Sequence, residues 1–513
     1  MISQKLKKAC YRNINTIFDR IVDQADQSLL VKFLRHFIAL HGFFHALYHY
    51  RIGNISLARD LIAGQSQKTK FQKHIFTSIS EISSIVEHGY DTRIPVHKAS
   101  PHWNRKVLFA LHYSLPYQTS GYAIRSHNIL THLKQSGVDV MASTRLNYPW
   151  DMTKHTEKQF SKKDIVDSIT YIRLRDSYNR RGFRGLEYID AYAQKLAETA
   201  LNHNASILHS ASNFLNGLAC TQAARMAGCK SIYEIRGLWY LTQAAKNPNF
   251  DGTDYYQYCE IMELAAAKEA NALITISEAL KKWLINRRIE PKKITVIPNA
   301  VDTNFFKPQS SDSELKRQLG VEGKTIIGYI GSITAYEGLD LLVKATFKLI
   351  EQGANLCLLI IGNGYYESNL KKVASSFPNK KYIKFLGHIP FNEIRKYYSI
   401  INIFPFPRKG YDVCRLVPPL KVLEVMAMAK PVIVSDLPPF LEMVKDGKTG
   451  LICNADDLQS LIESIQRLYK NPDKRQLLGN AARKWVTENR SWEDMSKSYI
   501  SLYRGICDVQ LHI

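Results

Sequence analysis

Short apolar runs separated by amphipathic stretches set the plan of this chain from residue 105 onward, whereas residues 1–100 read as helical. KVLFALHY (106–113) reads as a buried strand, and YAIRSHNILTHLKQSG (122–137) as a helix closed by glycine. DVMAST (139–144), ILHSAS (207–212), SIYEIR (231–236), ALITIS (272–277) and KITVIP (293–298) follow as strands with helices between them. This alternation predicts βαβ units on a parallel sheet. The pattern then restarts with TIIGYIG (325–331), NLCLLIIG (355–362), YIKFLG (382–387), INIFPF (401–406) and PVIVSD (431–436). Its helices include LDLLVKATFKLIEQG, LKVLEVMAMA and DLQSLIESIQRLYK.

The segment between the two sets, PNAVDTNFFKPQSSDSE, is polar and carries prolines, as a domain linker does. The fold class is therefore α/β, with two facing Rossmann-like domains of doubly wound parallel sheet at 101–300 and 301–490 and a helical extension at 1–100. Ligands of such sheets bind beyond the carboxyl ends of the strands, so the chemistry is expected in the loops facing the cleft. Within the extension, HALYHYRIGNISLARDLI (45–62) has the spacing of a helical hairpin. It is a little like one tetratricopeptide unit, but such repeats need about three units to stack. An ordinary hairpin packed on the next domain is the plainer reading.

At 513 residues the chain exceeds what one core can organise, and its 45% hydrophobic and 22% charged residues are ordinary for a folded protein. The formal charge of +23 is not ordinary. It implies attraction to nucleic acid, an acidic lipid surface or phosphorylated small molecules. Cysteines at 10, 220, 229, 259, 357, 414, 453 and 507 form no CxxC pair, which argues against zinc or a disulfide framework and suits reduced thiols in a cytoplasmic protein. No stretch reaches the ~18 apolar residues of a membrane span, and FIALHGFFHALYHY is broken by histidines. Membrane contact, if made, is peripheral.

Two loops have phosphate-binding character. Gly331 follows a strand and Gly338 opens a helix, and Gly362-Asn363-Gly364 repeats the design. Glycine lets backbone approach a ligand, and a helix N-terminus offers free N–H groups to an anion. Neither loop matches GxGxxG or a Walker sequence, and a tight strand-to-helix turn explains either one alone. In FPRKGYDVCRLVPPLKVLEVMAMAKPVIVSD, Arg408, Lys409, Arg415 and Lys421 precede a lone acid, Glu424, on an apolar helix. Arginine and lysine neutralise a diphosphate, and a glutamate accepts two hydrogen bonds from a ribose diol.

These segments resemble the retaining glycosyltransferases of family 4, which have the GT-B fold. VIPNAVDTNFFKP (296–308) and the ordered series GYIGS…EGLDLL, LLIIGNG, FLGHIP and LEVMAMAKPVIVSD carry the likeness, which spans about residues 105–505. The resemblance implies a nucleoside-diphosphate sugar on the C-terminal domain, with Glu424 on the ribose, Gly362 and Ile389 near the base, and Lys421 near the diphosphate. Gly331, Ser332, Gly364 and Arg408 would complete that donor site. In the N-terminal domain, LHYSLPYQTSGYAIRSHNIL resembles the family's Gly-rich loop, so Gly121 and Arg125 are binding candidates. Arg236, in YEIRGLW, would contact sugar or phosphate, and Arg236, Lys421 and Arg415 are the expected catalytic cations. His209 is a weaker candidate, since a strand-end histidine is more often structural. NRSWEDMSKSYISLYRG looks like the family's helix that crosses back onto the N-terminal domain, here 491–507.

The chain departs from the family in two places on the donor side. Ser332 and Glu337 stand where the family often has Arg and Lys, and Leu416 stands eight residues before Glu424, where the family often has a first glutamate. Glu337 would repel a diphosphate, so Arg408, Arg415 or Lys421 must supply the charge. The implied reaction moves a hexosyl or N-acetylhexosaminyl group to a hydroxyl of a glycan or lipid-linked acceptor, as in capsule or lipopolysaccharide synthesis, with no cofactor and no essential metal. The alternatives are a non-catalytic GT-B partner or scaffold subunit and a nucleotide-sugar epimerase. TKHTEKQFSKKD, RLRDSYNRRGFRG and LKKWLINRRIEPKK, with Phe160, Phe183 and Trp283, suit an anionic inner-membrane surface or a phospho-linked acceptor. No nucleic-acid recognition signature accompanies the charge.

Overall fold

The computed structural model describes residues 42–63, 70–91, 102–152, 160–176, 185–378 and 380–508. The chain divides into two units, Met1–Gly89 with Gly252–Tyr258, and Tyr90–Asp251 with Cys259–Ile513. The described residues of the first unit form the helices Gly42–Ile52, Ile55–Ile62 and Lys70–His88. Gly53, at φ +91°, makes the tight turn between the first two, where a side chain would meet the Thr253 hydroxyl at 2.7 Å. Ala46, Ile55, Ala58, Ile75, Ile79 and Ile82 are buried in this unit, and Arg59 ties the second helix to Ser83 and Glu87 of the third.

In the second unit, the N-terminal sheet is built from β1 (Lys106–Leu111), β2 (Asp139–Thr144), β3 (Lys163–Val166), β4 (Ile169–Arg173), β5 (Ile207–Ala211), β6 (Lys230–Ile235), β7 (Ala272–Thr275) and β8 (Ile294–Val296). Their order is β3-β4-β2-β1-β5-β6-β7-β8, parallel except for the β3–β4 pair. β1, β5 and β6 sit centrally with both faces covered, which is why they are continuous apolar runs in the sequence. Predicted strand 272–277 stops at Thr275, because Ser277 leaves the sheet to cap the next helix by accepting from Leu280 N at 3.1 Å. The β3–β4 hairpin is not legible as an apolar run. β3 is an edge strand, and Asp167 and Ser168 both take positive φ (44° and 68°) in its two-residue turn.

The C-terminal sheet comprises β9 (Thr325–Ile330), β10 (Leu356–Ile361), β11 (Ile383–Gly387), β12 (Phe404–Phe406), β13 (Val432–Ser435) and β14 (Leu451–Cys453). Two parallel three-stranded ladders, β11-β10-β9 and β12-β13-β14, meet where Ile327 bridges Ile403 and Gly328 N donates to Ile403 O at 3.0 Å. Gly328 permits that join, since a Cβ there would lie 2.3 Å from Ile401 Cδ1. The predicted strand 401–406 shortens to 404–406, and the three-residue β14 was too short to read.

The last helix, Trp492–Asp508, returns to the N-terminal sheet as its sequence implies. Trp492, Tyr499, Tyr503 and Cys507 share one core with Val107, Phe109, Ile129 and Ile207. Polar groups lie beneath that apolar contact. Glu234, on β6, is fully buried, and its Oε1 accepts from Arg125 Nη2 (2.7 Å), Arg125 Nε (3.1 Å) and Tyr499 OH (2.9 Å). Its Oε2 accepts from Arg236 Nη2 at 2.8 Å and lies 3.3 Å from His209 Nε2. Burial alone would raise the Glu234 carboxyl, but the Arg236 and Arg125 charges and the His209 contact outweigh it and hold the group well below its ordinary range.

Glu263 has the opposite environment. It is buried without a cation, accepting from Phe214 N at 3.1 Å and from Tyr233 OH, and burial pushes its carboxyl up to about 7.

Two predictions follow from these carboxylates. Glu234→Gln leaves two buried guanidinium groups short of a counter-charge and is expected to cost about 3–5 kcal/mol in chemical denaturation, against about 1 kcal/mol for Tyr499→Phe. For Glu263 the folded state holds a proton that the unfolded carboxyl has already released above its ordinary range. The Glu263 contribution to stability is therefore greatest at acid pH and falls as pH rises towards 7, then levels off. Melting temperatures at pH 5 and pH 8 are expected to fall further for the native protein than for Glu263→Gln.

Candidate functional site

The carboxyl ends of β9 and β10 carry the two glycine loops, which lie backbone against backbone. Gly362 takes φ +127°, and a Cβ there would sit 1.9 Å from Gly331 O. At Gly364 it would sit 2.1 Å from Ile333 O, and Ile333 N donates to Asn363 O at 3.0 Å. Gly362 and Gly364 are thus demanded by loop-to-loop packing before any ligand is considered. Ser332, between these loops, is exposed, and Ile389 is half-buried in the segment after β11.

The charges in the 406–424 region sort differently from the sequence expectation. Arg408 is buried and paired with Glu337 through both carboxylate oxygens, at 2.6 and 3.0 Å. Burial would lower the Arg408 guanidinium pKa, but Glu337 more than reverses this. Lys409 Nζ reaches Asp340 Oδ2 at 3.0 Å. Glu337 therefore neutralises Arg408, and neither that acid nor that arginine is presented to a diphosphate. The physical reason is burial: a guanidinium in this loop needs a carboxylate, and the position that often holds Lys in the family supplies one.

Arg415 and Lys421 are not spent in this way. Arg415 is exposed on the short helix Asp412–Leu416; its Nε donates to Gly410 O at 3.1 Å, and it has no carboxylate partner among the described residues. Lys421 lies one turn before Glu424 on the helix Leu420–Ala427 and reaches its Oε2 at 3.0 Å. The same oxygen accepts from Tyr398 OH at 2.7 Å, a buried tyrosine that sequence reasoning missed. Tyr398 and Lys421 both hold Oε2, so the Glu424 side chain is fixed while Oε1 carries no bond among the described residues.

The N-terminal domain meets this helix closely. A Cβ on Gly121 would lie 3.2 Å from Leu420 Cδ1, and one on Gly237 would lie 3.5 Å from Val417. Gly121 is thereby brought against the start of the helix that carries Lys421 and Glu424, with Ser120 capping the Gly121–Gln135 helix through Ala123 N. Trp239, half-buried at the start of its helix, packs against His112 and Tyr122 beside them.

Arg125 and Arg236 do not join that group. The five N–H bonds of Arg125 all face protein acceptors: Glu234, Asn299 Oδ1 (2.8 Å), the Pro298 and Ile297 carbonyls and Tyr499 OH. Arg236 turns inward to Glu234, Ser126 Oγ (2.5 Å) and Tyr122 O. His209, the weaker candidate, is fully buried against Tyr503, with Nδ1 2.7 Å from the hydroxyl, and burial lowers its pKa. All three are drawn in by one acid, Glu234, which was visible in the sequence only as a lone carboxylate in the strand run SIYEIR. Residues 153–159 and 177–184, with Phe183 and much of the expected basic surface, lie outside the described residues.

The family described as "Glycosyl transferases group 1" matches residues 311–485, and the one described as "Glycosyltransferase Family 4" matches residues 119–305. "Capsular polysaccharide biosynthesis glycosyltransferase CapM" of Staphylococcus aureus is 27% identical over 283 residues, covering 52% of this chain and 69% of that protein. A "GDP-mannose-dependent alpha-(1-6)-phosphatidylinositol monomannoside mannosyltransferase" of Mycolicibacterium smegmatis is 25% identical over 41% of this chain and 56% of its own length. Among solved structures, Anabaena Alr3699/HepE in complex with UDP and glucose superposes with a TM-score of 0.61 over 78% of this chain and 99% of that one, at 15% identity. Matches across both Rossmann-like domains, together with the fold, lead to one conclusion: the chain belongs to glycosyltransferase family 4 and has the GT-B architecture.

Proposed function

We propose that this protein transfers a hexosyl or N-acetylhexosaminyl group from a nucleoside-diphosphate sugar to a hydroxyl of a glycan or lipid-linked acceptor, with retention at the anomeric carbon. The observation that carries the reading is Glu424, held through one oxygen by Tyr398 and Lys421 while its other oxygen carries no bond among the described residues, on the helix whose Leu420 meets Gly121. A carboxylate so placed accepts from a ribose diol. The relatives named for capsular polysaccharide and for GDP-mannose-dependent mannosyl transfer support the substrate class.

The chemistry is positioning and charge stabilisation, and the reading needs neither cofactor nor metal. As the bond from the anomeric carbon to the diphosphate oxygen breaks, negative charge grows on the leaving group. Arg415, with no carboxylate partner among the described residues, and Lys421, shared with Glu424, are the cations offered to it, aided by the N–H groups at the start of the Leu339–Glu351 helix. Arg408 contributes indirectly, by holding the loop. The basic helix Glu278–Asn286, with Lys282 exposed and Trp283 covered by Arg287 at 3.8 Å, suits an acceptor bearing anionic lipid. No helix among the described residues is long and apolar enough to cross a membrane, so contact with the inner membrane face would be peripheral.

A thermal-shift and calorimetry screen against UDP-, GDP-, ADP- and CMP-sugars tests the donor site. One donor is expected to stabilise the native protein, with affinity reduced about tenfold or more in Glu424→Ala and in Arg415→Ala. Arg408→Ala is expected instead to lower the melting temperature. Binding of none of these donors by the native protein would favour a non-catalytic role.

A further inference from the structure

The segment that leads into the Glu424 helix has three consecutive carbonyls, and each is taken by a different side chain. Ser277 Oγ donates to Leu416 O at 2.6 Å, Arg408 Nη1 to Val417 O at 2.9 Å, and Asn299 Nδ2 to Pro418 O at 3.1 Å. Pro419 follows as the residue before the first helical turn, so these three bonds set where Lys421 and Glu424 begin. The backbone here has little freedom, because two prolines in sequence restrict φ and offer no N–H of their own.

The three anchors come from separate parts of the molecule. Arg408 is fixed by Glu337 within the C-terminal domain. Ser277 caps the Glu278–Asn286 helix that follows β7 in the N-terminal domain, and is fully buried. Asn299 lies in the linker and is itself gripped: its Oδ1 accepts from Arg125 Nη1 at 2.8 Å, and Arg125 is bound to Glu234. A continuous chain of buried bonds therefore runs from Glu234 through Arg125 and Asn299 to Pro418 O. A second cross-domain contact lies apart from it, where Glu442 accepts from Glu278 N and Ala279 N at 3.1 Å each.

We infer that Asn299, with Ser277, is a positioning residue: it links the buried Glu234–Arg125 cluster of the N-terminal domain to the loop that aims Lys421 and Glu424. Both halves of the Asn299 amide are engaged. The carbonyl oxygen holds Arg125, and the NH2 group holds Pro418. This role rests on the donor-site reading above only for its catalytic consequence, since the geometric consequence is independent of any ligand.

Asn299→Asp separates the two halves, because it keeps the acceptor for Arg125 and removes the donor to Pro418. Hydrogen–deuterium exchange of the free protein is the direct test. In Asn299→Asp, and separately in Ser277→Ala, amides of 416–424 are expected to exchange about tenfold faster, while those of β6 and the C-terminal helix keep the native rate. Unchanged exchange over 416–424, or acceleration spread across the whole domain, would overturn the proposal. The second readout uses UDP-glucose as probe in a hydrolysis assay: Asn299→Asp is expected to raise KM about tenfold with a smaller change in kcat. A fall in kcat at unchanged KM would also overturn it. Absence of UDP-glucose binding by the native protein would count against that donor, and the exchange result would still decide the role of Asn299.

Discussion

One buried carboxylate organises the N-terminal half of this protein. Glu234 stands on a central strand with no exposure, a position where an unpaired charge would be very costly. It is tolerated because Arg125, Arg236, Tyr499 and His209 converge on it from a cleft-side helix, from its own strand end, from the C-terminal helix and from β5. Each partner belongs to a different element, so satisfying the charge also fixes where those elements lie. The C-terminal helix, separated from Glu234 by 265 residues at Tyr499, is held by this polar anchor as well as by its apolar face. Whether such a cluster adds net stability over an apolar core matters less than its geometry, which admits only one arrangement of donors.

The donor side follows the same logic on a smaller scale. Arg408 and Glu337 form a buried pair whose remaining donor secures Val417 O. A residue that would oppose an anionic ligand if it faced the cleft is instead spent inside the loop. This leaves Arg415 exposed and Lys421 half-buried against Glu424, and it accounts for a basic segment that is less positive at its surface than its sequence suggests. The two buried clusters meet at the 416–418 carbonyls, one reaching them through Asn299 and the other through Arg408.

Much of the fold could be read from residue pattern because the central strands are buried on both faces and so appear as apolar runs. KVLFALHY, NLCLLIIG and PVIVSD show this plainly. The β3–β4 hairpin escaped because an edge strand alternates with solvent and its turn uses Asp167 and Ser168 rather than glycine. Among the candidate site residues, Lys421 and Glu424 meet on one helix, and Gly121 lies against Leu420 at the start of that helix. Arg125, Arg236 and Arg408 were read as ligand contacts because a basic residue near a glycine loop looks the same in sequence whether it faces a ligand or a buried acid.

What the sequence by itself determined is the alternation of strand and helix, the returning helix and the family likeness. All of these are local or ordered along the chain, and periodicity and motif spacing record them. Only the tertiary structure decided which charges are spent internally. Glu234 and Arg125 are 109 residues apart, Glu337 and Arg408 are 71 apart, and Asn299 meets Pro418 across 119. Charge neutralisation depends on distance in space and on the exclusion of water, and neither quantity is carried by residue order.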